Sequence, residues 1–157
     1  MKKTEKTRAG SPVIRLLFLV YCAVMLWLLF GQRVQGNTPD TELVQLRLNI
    51  NLVPMRTLKQ YWGLLCSSDA YFVRHAVINL AGNVALFVPL GLILPSIYPK
   101  LRRFWTTMLC TLALMLLVEL MQYLTLLGSC DVDDLILNLL GTAMGYGFWR
   151  LSHKGKA

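Results

Sequence analysis

The chain has 157 residues, enough for one domain, with 55% hydrophobic residues, 15% charged and a formal net charge of +8. A soluble domain carries nearer a quarter charged residues, so a water-filled surface around an ordinary core is excluded. The basic residues are spread along the chain in short clusters between apolar runs, which argues against a nucleic-acid-binding face.

Met1–Pro12 is a polar, basic tail with Lys2, Lys3, Lys6 and Arg8. It reads as a topology signal able to touch anionic headgroups. Four apolar runs follow: Val13–Gly31, Ala76–Leu94, Phe104–Leu127 and Asp134–Leu151. Each is near the roughly 20 residues that a spanning helix needs. The expected fold is an all-α integral membrane protein with four transmembrane helices. The first run is long and no small-x-small cleavage site follows it, so it reads as a retained anchor. Lys100, Arg102 and Arg103 lie between runs two and three, and Arg150, Lys154 and Lys156 follow run four. The link between runs three and four has no Lys or Arg. The positive-inside rule then puts both termini in the cytoplasm.

The first outer loop, Gln32–His75, opens on the turn residues Gly36, Asn37 and Pro39. Val44, Leu46, Leu48, Ile50 and Leu52 alternate with polar residues, a strand-like period. After Pro54, the residues Leu58, Tyr61, Trp62 and Leu65 fall at helical spacing with Arg56 and Lys59 between them. That is either an interfacial amphipathic helix or a helix capping the bundle. Run two begins after Arg74 and His75 and carries Asn79 and Asn83 one turn apart. Its Pro89 predicts a kink. Pro95–Arg103 reads as a short link. Gly128 is positioned to close the third helix, and Asp131 or Asp133 to cap the fourth. Gly141 and Gly145 have the spacing for close helix approach. Cys66 and Cys130 would both lie outside, where a disulfide is chemically permitted but not required.

Charge inside a membrane-length segment is expensive and normally faces protein or a wet cavity. Glu119 and Gln122 share one helix face, as do Asp134 and Asn138. At about 1.5 Å rise per residue, Asn79, Asn83, Glu119, Gln122 and Asn138 fall in the outer third of their helices. One outer polar pocket is therefore expected, with Asp131, Asp133, Asp134 and Arg74 at its mouth. Several acids around one cavity need a cation, a basic partner or a raised pKa. An oxygen-rich set suits Mg²⁺ or Ca²⁺ better than zinc. No Walker loop, nucleophile elbow or HExxH motif is present.

The segments NLVPM (Asn51–Met55), NVALFVPLG (Asn83–Gly91), VELMQ (Val118–Gln122) and DVDDLILNLLGTAMGY (Asp131–Tyr146) together resemble the VanZ-like family. The last motif is the most specific. The resemblance implies a small bacterial polytopic membrane protein associated with glycopeptide resistance, chiefly to teicoplanin. Family members often carry Arg in the link before the acids, where this chain has Gly128, Ser129 and Cys130. Two functions from different classes are compatible with these residues. One is binding of a lipid-linked cell-wall component or a glycopeptide at the outer leaflet. The other is an intramembrane hydrolase or transferase on a lipid-linked wall precursor, with Glu119 and Asp134 as acid/base groups or metal ligands.

Overall fold

The computed structural model describes residues 12–31, 51–125 and 131–153. It comprises α1 (Pro12–Leu26), which continues as a π-helical turn over Trp27–Gly31, then α2 (Arg56–Leu65) and α3 (Ala70–Ile97). A 3₁₀ turn at Pro99–Leu101 leads to α4 (Phe104–Thr125), and α5 (Val132–His153) follows. No strand occurs among the described residues. The alternating run at Val44–Leu52 falls mostly outside them, as do Gly128 and Cys130. Its described end, Asn51, makes a single bridge to Asp131, with the Val132 N–H donating to the Asn51 carbonyl at 3.0 Å.

Three helices are long and apolar enough to cross a membrane: Pro12–Phe30, Ala70–Ile97 and Phe104–Thr125. The chain is thus a membrane protein by its helices. The 22-residue α5 is as long as α4, but its composition alone does not qualify it. Asp133, Asp134, Asn138 and Arg150 dilute its apolar residues. Instead of facing lipid all round, it lies at the centre, against α2, α3 and α4.

The α3–α5 contact is the closest in the bundle, and glycine makes it so. A Cβ on Gly141 would sit 2.1 Å from the Val84 carbonyl oxygen, and one on Gly145 1.9 Å from that of Val88. Gly91 answers from the other side, 2.0 Å from the Thr142 carbonyl oxygen. Backbone meets backbone here, which is how small residues let helices associate where burial of apolar surface gives no drive.

The expected link at Pro95 does not begin there. α3 runs unbroken through Pro89 and Pro95 to Ile97. A proline in a helix loses one bond and crowds the preceding turn, but neighbours in a bundle can re-satisfy the freed groups. Separately, Tyr21 of α1 donates to the Leu86 carbonyl at 2.9 Å and ties α1 to α3. Asp69 caps the start of α3 by accepting from the Tyr71 N–H at 2.8 Å. The apolar core is Met25, Phe87, Leu90, Leu94 and Met115. Leu16, Leu109, Leu117 and Leu120 stay exposed, as lipid-facing residues would.

Candidate functional site

The amphipathic spacing after Pro54 does form a helix, and α2 is fastened to the start of α5 by two aspartates. Met55 precedes α2 with a left-handed φ of 67° and provides no side-chain cap. Asp133, only 1% exposed, supplies one from a different helix. Its Oδ1 accepts from the Met55 N–H at 2.6 Å and its Oδ2 from the Leu58 N–H at 3.0 Å. A carboxylate at a helix N-terminus satisfies orphan donors and meets the positive end of the dipole. Asp131 sits beside it. It accepts from Asn51 Nδ2 at 3.0 Å, from the Thr57 hydroxyl at 2.6 Å and from the Asp133 N–H at 2.9 Å. Asp131 thus caps α5 while holding the chain before α2.

Asp134 faces α3, where Asn83 Nδ2 donates to its Oδ1 at 2.9 Å. Tyr61 of α2 lies in the same region. Burial, then the charges of Asp134 and Asp131, push its phenol above the ordinary tyrosine value.

A second polar layer lies deeper. The buried residues of α4 are Thr107, Thr111, Met115, Glu119 and Gln122. Their spacing of four, four, four and three is one helical face, and it is mostly polar. Gln122 reaches across to the Leu29 carbonyl at 3.1 Å, tying α4 to the end of the first helix. Asn138 is 3% exposed; its amide donates to the Met115 sulfur at 3.8 Å. Its Oδ1 has no hydrogen-bond partner among the described residues. Thr142 bonds back to the Asn138 carbonyl at 3.0 Å.

The polar residues therefore divide into a cap layer (Asp131, Asp133), an interhelical pair (Asn83, Asp134) and a buried layer (Glu119, Gln122, Asn138). Two expected members stand apart. Asn79 bonds its own helix, through the His75 carbonyl at 2.9 Å. Arg74 is exposed and forms no ion pair among the described residues. The carboxylates of Asp131 and Asp133 are met by backbone N–H, amide and hydroxyl donors. Among the described residues, no group of three or more His, Cys, Asp or Glu side chains gathers as a metal site. Cys66 is a free thiol.

Sequence reasoning missed Asn51, Thr57 and the Thr107–Thr111 stripe. The threonines were findable, since a four-residue repeat leads directly to Glu119. Asn51 lies in the NLVPM segment, but neither it nor Thr57 pointed to Asp131, because that partner is 80 and 74 residues away.

Beside the cap layer, α2, α3 and α5 together line an apolar groove of about 700 Å³. Leu58 and Trp62 form one wall, Val84, Val88 and Leu137 the other, and Lys59 stands in the lining.

Residues 18–153 match the model of the VanZ/LLP1 family. Protein VanZ from Enterococcus faecium is 32% identical over 145 residues, covering 92% of this chain and 78% of that relative. No solved structure matches the chain significantly.

Proposed function

Given that the chain belongs to the VanZ/LLP1 family, we propose that it is a multi-pass membrane protein that binds a lipid-linked component of the cell envelope. In this reading it spans the membrane four times with both ends in the cytoplasm, and α2 lies at the outer surface. Contribution to glycopeptide resistance, teicoplanin resistance above all, follows from occupying or shielding that component at the outer leaflet. A glycopeptide itself is the alternative ligand for the same surface.

The observation that supports this reading is the groove under α2. Its walls are hydrocarbon from α2, α3 and α5, and its cation is Lys59. A prenyl or acyl chain would fill the apolar part, where burial contributes about 0.8 kcal/mol per CH₂. Lys59, with Arg56 on the same helix, would meet a phosphate as a charge-assisted donor. The Asn83–Asp134 pair lies one residue from the groove wall at Val84 and presents an amide and a carboxylate to sugar or peptide groups. Capping by Asp133 holds α2 at the distance that keeps the groove open.

The test is Ala85→Trp, which fills the groove from the α3 residue Ala85 in its lining, alongside Lys59→Glu, which reverses its charge. Both are expressed at the wild-type level. Teicoplanin susceptibility and binding of a fluorescent polyprenyl-diphosphate-linked precursor are then measured. Both variants are expected to lose binding and resistance together. Full precursor binding by Ala85→Trp would refute the groove, and resistance retained without binding would refute the mechanism.

A further inference from the structure

The opposite end of the bundle has a concavity of its own, about 620 Å³, between the start of α4 and the end of α5. Three aromatic rings form its floor in series. Phe104 packs edge-on against Tyr146 at 5.5 Å, and Tyr146 lies 5.5 Å from Trp149. The Tyr146 hydroxyl donates to the Arg102 carbonyl at 2.7 Å, which fixes the connector to α5. Arg102, Arg103 and Arg150 line the same cavity. No ion pair engages these guanidiniums among the described residues; Arg102 Nε makes one long bond to the Pro95 carbonyl at 3.4 Å. The described aspartates (Asp69, Asp131, Asp133 and Asp134) sit at the other end of α3 and α5, and Glu119 lies inside the bundle.

A positive-inside bias accounts for arginines at this end. It does not require three of them to gather around one aromatic-floored cavity. That arrangement puts three guanidiniums without an ion pair among the described residues above an apolar surface, beside Trp105, which is 74% exposed. Planar guanidiniums match phosphate oxygens with paired donors, and basic pockets between spanning helices suit anionic headgroups. We propose that this cavity binds an anionic phospholipid of the leaflet at this end, its phosphate held by Arg102, Arg103 and Arg150 and its glycerol and upper acyl chain against Trp149 and Trp105.

The site is separate from the groove under α2, and its test does not depend on it. The full chain is reconstituted in nanodiscs of equal phosphatidylglycerol and phosphatidylcholine, released into the gas phase, and its retained lipid weighed. The wild type should retain phosphatidylglycerol over phosphatidylcholine by about a hundredfold, as expected from three basic residues at roughly 1 kcal/mol each. Arg102→Gln/Arg103→Gln/Arg150→Gln should abolish the preference, Arg102→Lys/Arg103→Lys/Arg150→Lys should keep most of it, and Arg74→Gln at the far end should leave it unchanged. Equal retention of both lipids by the wild type overturns the proposal whatever the variants do. So does displacement of phosphatidylglycerol by excess inorganic phosphate, which would assign the arginines to a free anion.

Discussion

Asp133 and Met55 are 78 residues apart, and the carboxylate of the first accepts the backbone N–H of the second at 2.6 Å. This is a helix cap supplied in trans, and α2 has no side-chain cap of its own at Met55. Asp133→Ala should therefore release α2 and leave the α3–α5 packing intact. The expected cost is about 1–3 kcal/mol, that of orphaning buried donors. Hydrogen exchange is the measurement: the Met55 and Leu58 amides should lose protection while those along α3 keep theirs. Unchanged protection at both amides would contradict the cap.

The glycine contacts predict a sharp contrast within one helix. Gly145→Ala forces α5 off the Val88 carbonyl and should cost about 1–3 kcal/mol or more, since overpacked cores relax poorly. Gly147→Ala, two residues on, meets nothing within 4 Å. It should be neutral or stabilising by up to about 1 kcal/mol, alanine being the better helix former. Thermal melting in detergent separates the two, and equal effects would mean that the helices are not in backbone contact.

Asn138 is buried with its Oδ1 lacking a hydrogen-bond partner among the described residues and its amide on a weak sulfur acceptor. Replacing such a group by an apolar one of similar size is nearly neutral or stabilising. Asn138→Leu should therefore melt within about 1 kcal/mol of the wild type. Loss of the proposed precursor binding at preserved stability would assign the amide to function. A large loss of stability would show a partner for Oδ1.

Tyr61 titrates above its ordinary value through burial first and the nearby aspartates second. Its neutral form is favoured in the fold, so the folded pKa exceeds the unfolded one. The resulting stability is present below the ordinary phenol value of about 10 and is lost as pH rises through the folded value. An ultraviolet titration of wild type minus Tyr61→Phe should show a phenolate appearing late. Asp134→Asn should lower that midpoint only in part, because burial remains.

The helices themselves were legible from sequence because period and length are local properties. Apolar runs of membrane length, a basic-residue pattern between them and the spacing of Leu58, Tyr61 and Trp62 each depend on near neighbours. The GxxxG spacing at Gly141 and Gly145 was legible too, but not its partner, since any helix face could have filled it. What only the tertiary structure decided was which donor each acid would find. Asp133 could have capped its own helix and instead caps α2, because the fold brings Met55 and Leu58 within bonding distance of its oxygens. Hydrogen bonding is short-ranged and indifferent to sequence separation. The run of acids therefore fixed that charge had to be met near the start of α5, while the bundle's packing chose the groups that meet it.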